Sequence, residues 1–393
     1  MRCAKCGGTK VALRRMATNA PSCKECFMSD FEEEVHAEIE QSQLFQPGDR
    51  VAVCVSGGKD STCLLHILDT LNKKHNYGIE LHQVAIDEGI VGYRDFSLEC
   101  VRKNADKYQL PLHLFSFKEI VGFTVDEIAK ILGEKKSKCT HCGIFRRKAM
   151  DIGCQQIGAN KMALGHNADD FAETVLMNLL RGDVNRLERA TVVKTGGSLP
   201  DDVSSIPELG GNSLPGLSCK VKPFKHCFQR EIVLYAHFRN LLFFSVECSY
   251  APQAFRGFAR EFLVRMQQIY PLSILNIIKT GDGLHVQVNE KDKRNILRLC
   301  TRCGFISSQA LCQSCQLIEQ LIAESKIQLI LNEKEGPQIV QCKDKCSKDI
   351  KDTQSNEKEK DSKENCPKKE DQKFGVKKSD RSNAIIQNIE DIV

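Results

Sequence analysis

Val51-Ala52-Val53-Cys54-Val55-Ser56-Gly57-Gly58-Lys59-Asp60-Ser61 begins as a short apolar run and breaks into a polar, glycine-bearing loop. A turn signal at Gln46-Pro47-Gly48 precedes it, and Leu64, Leu65, Ile67, Leu68 and Leu71 follow at helical spacing. Strand, tight loop and helix is the natural reading. Glycines in such a loop let the backbone approach a polyanion, and helix N-terminal amides point at it. The stretch therefore predicts an anion site. It is not a Walker A loop, because GxxxxGK[ST] would need glycine at Val53 and serine or threonine at Asp60.

Outward from this loop, strand and helix patterns alternate. Leu81 to Ile86 reads as a strand ending at Asp87-Glu88-Gly89, Arg94 to Tyr108 as a helix, and Leu112 to Phe117 as a strand. Helices are expected over Val125 to Leu132, Phe145 to Ile157 and Phe171 to Leu180, with a brief strand at Met162 to Leu164. Alternation of this kind implies a parallel sheet with right-handed crossovers. From Arg181 to Ser218 the pattern dissolves into Gly, Ser, Pro and Asp, too long for an ordinary connection and expected to be mobile or substrate-gated. Helices resume at about Gln229 to Arg239 and Gln253 to Gln268.

The chain has 393 residues, 41% of them hydrophobic, enough for one substantial core with smaller attachments. No apolar run of membrane-spanning length occurs and the N-terminus lacks an h-region, so a cytoplasmic location with no membrane partner is expected. Net charge is +5, which permits a nucleic-acid partner without requiring one. Twenty cysteines, many in CxxC pairs, point to metal or redox chemistry in a chain without secretory features.

Cys3, Cys6, Cys23 and Cys26, and again Cys300, Cys303, Cys312 and Cys315, supply four thiolates each at spacings that can close a tetrahedral Zn2+. Lys10, Arg14 and Arg15 in the first spacer could present charge to RNA phosphates or be solvated loop charges. The expected organisation is a zinc-ribbon module over 1–45, a catalytic domain over 46–275, a second zinc module over 276–335 and a disordered charged tail over 336–393. A further CxxC, Cys139-Thr140-His141-Cys142, opens a helix, and Cys248 stands alone far along the chain. One CxxC by itself could be a redox pair, half of a zinc site or two buried thiols. Arg146 and Arg147 just beyond it could neutralise phosphate or lie on a solvated face. Cys54, Cys63, Cys100, Cys154, Cys219 and Cys227 read as structural thiols.

The SGGKDS loop resembles that of the PP-loop ATP pyrophosphatases. Combined with Cys139-Thr-His-Cys142-Gly, the string Gly165-His166-Asn167-Ala168-Asp169-Asp170, Cys248, IDEGIVGYRD, EIVLYAHF and AFRGFAREFL, it is similar to the tRNA 2-thiouridine synthetases. This resemblance runs nearly from Met1 to Cys315. It implies an α/β fold with a doubly wound parallel sheet, and ATP as cosubstrate, with Ser56, Gly57, Gly58, Lys59, Asp60, Ser61, Ile86, Gly165 and His166 in its binding set. Mg2+ is implied at Asp60, with Asp169 nearby. Cys139, Cys142 and Cys248 are implied either to hold a [4Fe–4S] cluster or to work as a disulfide/persulfide set. The implied reaction is 2-thiolation of the wobble uridine of cytosolic tRNAs of the Lys, Glu and Gln type. The implied partners are tRNA, a thiocarboxylated ubiquitin-related modifier as sulfur donor and a second cytoplasmic thiolation subunit. The contrasting reading is a catalytically inactive zinc-ribbon tRNA-binding scaffold, against which the intact loop and complete trio argue.

Overall fold

Val51, Val53 and Val55 bury themselves in one apolar cluster while Ala52 and Cys54 face another, so the strand that carries them is covered on both sides. The computed structural model describes residues 1–133, 138–187, 190–196, 218–246, 248–250, 255–284 and 298–335. The expected disordered tail, and most of the stretch between Arg181 and Ser218, lie outside the described residues.

Small hairpins mark the two ends: β1 (Leu13–Arg14) with β2 (Pro21–Ser22), and β9 (Arg298–Leu299) with β10 (Ile306–Ser307). Between them a six-stranded sheet runs in the order β5 (Leu112–Ser116), β4 (Glu80–Asp87), β3 (Arg50–Cys54), β6 (Lys161–Ala163), β8 (Cys219–Val221), β7 (Lys194–Thr195). All pairings are parallel except that of β7 with β8. The order reverses direction at β3, which leaves β4 on one side and β6 on the other. In such sheets the crevice between the carboxyl ends of those diverging strands is the ligand site. The loops that follow β3 and β6 are SGGKDS and GHNADD.

Helix Lys24–Gln41 lays Phe27, Phe31, Val35 and Ile39 against helices Lys59–His75 and Gln229–Phe238 in one core with Val51 and Val53. Phe31 meets Phe224 and Tyr235 at ring separations of 6.2 and 5.0 Å. Phe27, Phe31, Val35, Ile39 and Leu44 thus belong to the core of the central sheet. On the opposite face, helix Lys138–Gln156 brings Cys154 to Ala52, Val84 and Met162. Helix Ser273–Asp282 straddles the expected boundary at 275 and packs Ile274 and Ile278 on Ala168, Phe171 and Ala172 of helix Ala168–Leu180.

Candidate active site and cysteine centres

Gly57 adopts φ +74°, and a Cβ there would lie 2.5 Å from the Ser97 carbonyl, so only glycine lets the loop turn this tightly. Gly58 caps helix Lys59–His75 without a side-chain hydrogen bond. Ser61 Oγ lies 3.1 Å from the Ser56 amide, 3.2 Å from Ser56 Oγ and 3.1 Å from the Gly58 carbonyl, which closes the loop on itself. Lys59 Nζ donates to Asp60 Oδ2 at 2.8 Å, with both side chains about one quarter exposed. A cation and a carboxylate thus sit at the mouth of a helix N-terminus, where the macrodipole favours an anion.

The second loop closes over the first. A Cβ at Gly165 would lie 3.1 Å from the Asp60 carbonyl carbon, and Asn167 Nδ2 donates to Asp60 Oδ1 at 3.1 Å. Asn167 also caps helix Ala168–Leu180 in a capping box with Asp170. Asp169 accepts the Gln229 amide at 2.7 Å and so caps helix Gln229–Phe238 from outside it. Burial pushes the Asp169 carboxyl up to about 6. The residue that reaches Asp60 is Asn167, and the signal for it was the Asn-x-x-Asp spacing of a capping box. His166 is exposed, and Ile86 lies at the end of β4 between two apolar clusters. Arg256 bonds both Asp170 and the fully buried Glu173, and Arg260 bonds Glu173 at 2.8 Å, so AFRGFAREFL and HNADD form one network.

Cys139 and Cys142 lie in the first turns of helix Lys138–Gln156, which starts seven residues earlier than the apolar pattern from Phe145. Cys139 Sγ donates to the Tyr250 carbonyl at 3.4 Å, which brings the Cys248 segment alongside. Tyr250 is in turn anchored by its hydroxyl to Asp126 at 2.9 Å. Cys142 and Cys248 both pack on the cluster containing Ile90, Phe117, Ile144 and Phe145. Burial pushes the Cys142 thiol up to about 11, opposed by Arg146, whose Nη2 lies 3.5 Å from its sulfur while Nε pairs with Glu88 at 2.9 Å. Burial, then the neighbouring Cys248, also raises the Cys139 thiol. The Phe244 amide donates to the Gly57 carbonyl at 2.7 Å. Four residues span at most about 14 Å, so Cys248 is tethered within that distance of the phosphate loop.

Among the described residues, two sets of four cysteines have sulfurs within 4.8 Å of one another: Cys3, Cys6, Cys23, Cys26, and Cys300, Cys303, Cys312, Cys315. Backbone amides also aim at these sulfurs, Cys26 N to Cys23 Sγ at 3.5 Å and Cys312 N to Cys300 Sγ at 3.2 Å. Four convergent thiols with no open position fit a structural metal ion. Cys139, Cys142 and Cys248 do not crowd into such a set. Thiolates that bind different irons of a cluster stand further apart than thiolates sharing one ion, so this looser grouping fits a cluster or an open thiol set.

Arg15 is not available to RNA: its side chain is buried, with Nε 2.9 Å from Glu231 Oε1 and Nη2 2.6 Å from Glu34 Oε2. It fastens the N-terminal hairpin to helix Gln229–Phe238. Cys219 and Cys227 are buried in the main core, as structural thiols would be.

A glycine-turned anion loop at the switch point of a parallel sheet defines a PP-loop nucleotide-binding protein, and the family described as "PP-loop domain" matches residues 31–266. Cytoplasmic tRNA 2-thiolation protein 1 of Drosophila ananassae is 48% identical over 314 residues, 80% of this chain and 86% of that protein. The protein of the same name from Chlamydomonas reinhardtii is 48% identical over 319 residues, 81% of this chain and 84% of that one. The chain belongs to the cytoplasmic tRNA 2-thiolation protein 1 family. Its fold is that of the U34-tRNA thiolase NcsA from Methanococcus maripaludis, a structure solved with its [4Fe–4S] cluster, at TM-score 0.67 and 24% identity over 82% of this chain and 96% of that one.

Proposed function

We propose that this chain catalyses ATP-dependent 2-thiolation of the wobble uridine of cytosolic tRNAs, those of the Lys, Glu and Gln type. It is a tRNA sulfurtransferase, and its relatives are named as cytoplasmic. Among the described residues no helix is long and apolar enough to cross a membrane. The observation that carries the reading is the Phe244 to Gly57 hydrogen bond, which ties the segment ending at Cys248 to the phosphate loop.

Ser56, Gly57, Gly58, Lys59 and Ser61 hold the pyrophosphate of ATP, Asp60 supplies the Mg2+ ligand, and Ile86, Gly165 and His166 line the nucleotide. Asn167 orients Asp60 through its 3.1 Å hydrogen bond. The uracil 2-oxygen attacks the α-phosphorus, the bond to the β-phosphate oxygen breaks, and pyrophosphate leaves. Sulfur then bonds to uracil C2, and AMP departs carrying the original oxygen. The sulfur comes from a thiocarboxylated ubiquitin-related modifier, with a second cytoplasmic thiolation subunit as partner. Water replaces sulfur at the thiocarboxylate carbon, releasing it as sulfide without a change of oxidation state; Cys139, Cys142 and Cys248 would hold the group that accepts it, and Asp169 acts by holding helix Gln229–Phe238 against the GHNADD loop. Three thiolates would leave one iron of a [4Fe–4S] cluster without a protein ligand and able to bind sulfide. The two four-cysteine sets hold structural Zn2+.

The test is pyrophosphate release and 2-thiouridine formation measured together. Both should require tRNA, and Asp60→Ala should abolish both while changing stability by no more than about 1 kcal/mol. An Asp60→Ala chain that keeps activity with ordinary magnesium dependence would contradict the assignment.

A further inference from the structure

Helix Lys138–Gln156 carries Cys139 and Cys142 at its start and Lys148 further along. Lys148 stands six positions, about 9 Å, beyond Cys142 at the α-helical rise. Its ammonium lies 3.6 Å from Cys315 Sγ and 5.2 Å from the centre of the Phe305 ring, both in the C-terminal four-cysteine module. The helix that leaves this module, Gln313–Glu335, buries Ile318 and Leu321 in the same apolar cluster on which Cys142, Cys248 and Tyr250 pack.

Two connections therefore run from the distal four-cysteine site to the cysteine trio, one ionic and one apolar. Four thiolates around one divalent ion carry a net charge of about −2, so an ammonium held against a ligand sulfur is a strong, half-buried ionic contact.

We infer that Lys148 is a positioning residue for the cysteine trio, latching helix Lys138–Gln156 to the C-terminal four-cysteine site so that its first turns stay in register with Cys248. The module is then a clamp on the reactive centre and not only a local staple. The inference rests on the proposed sulfur-transfer role of the trio for its functional consequence, but its structural part is measurable without that reaction.

The experiment compares full-length parent, Lys148→Met and Lys148→Arg chains. Losing one charge-assisted contact should speed amide exchange over 142–147 by about tenfold in Lys148→Met, with helix Lys59–His75 unchanged. In the same variant kcat for thiolation should fall while KM for ATP stays within about twofold, since the phosphate loop is not touched. Lys148→Arg, which keeps the cation, should restore both readouts. Unchanged exchange over 142–147 in Lys148→Met would overturn the latch whatever the activity. Faster exchange with unchanged kcat would overturn the positioning role while leaving the adenylation chemistry standing.

Discussion

Cys3, Cys6, Cys23 and Cys26 crowd within 4.8 Å of one another beneath backbone amides, whereas Cys139, Cys142 and Cys248 stand more loosely, Cys142 and Cys248 against an apolar cluster and Cys248 four residues from the Phe244 tether to the phosphate loop. The side chain is the same and the surroundings are not. Convergent sulfurs with amide donors leave a metal no free position, and such a site contributes folding energy. The more widely spaced sulfurs, with the Cys139 and Cys142 thiols raised by burial and Cys142 faced by the Arg146 guanidinium, keep room for an incoming atom. Spacing along the chain does not make this distinction, since both kinds of site begin with CxxC.

The largest effect is expected at the N-terminal site. Cys3→Ser with Cys6→Ser should reduce bound zinc from about two to about one per chain and cost several kcal/mol of stability, read by metal analysis and urea unfolding. Retention of both ions would show that this set is not a closed site. The cost should be large because Cys23, a member of this set, caps helix Lys24–Gln41, which carries Phe27 and Phe31 into the main core.

His66 belongs to neither kind of site, and its share of the acid response is read as the difference between parent and variant. Burial holds His66 down to about 4, while its Nδ1 meets Tyr108 at 3.0 Å. The unfolded chain then binds this proton first, so stability should fall as pH drops from about 6.5 towards 4, by at most about 3 kcal/mol from this residue. His66→Phe should flatten that part of the profile, and an unchanged slope would refute the assignment. The smallest effect is expected at Cys227, a buried thiol in the main core: Cys227→Ala should cost about 1 kcal/mol and leave thiolation intact.

The central strand, the loop and the parallel class were legible because each rests on local pattern: apolar runs, a glycine-bearing break and helical periodicity from Leu64 to Leu71. Helix Lys138–Gln156 began earlier than its apolar spacing announced, because Lys138 to Cys142 is polar and its place is fixed by the Tyr250 and Glu88 segments. β8 went unread: three residues, Cys219–Val221, give too little periodicity, and only pairing with β6 makes them a strand. Arg15 read as an RNA contact or a solvated loop charge because an Arg14-Arg15 pair in a basic spacer carries no sign of Glu231, which is 216 positions from Arg15. Asn167 is the opposite case, since its capping spacing was visible and only its reach to Asp60 was not. Tertiary partners, not local chemistry, decided each of these.

A single-turnover assay on Cys248→Ala with tRNA, ATP and the sulfur donor, scoring pyrophosphate and 2-thiouridine in the same tube, separates adenylation from sulfur transfer. Cys248 sits on the trio side of the Phe244 tether, so the variant should bind ATP and release pyrophosphate with tRNA but form no 2-thiouridine. A Cys248→Ala chain that thiolates tRNA at the parent rate would contradict the account and leave Cys139 and Cys142 as an ordinary structural pair.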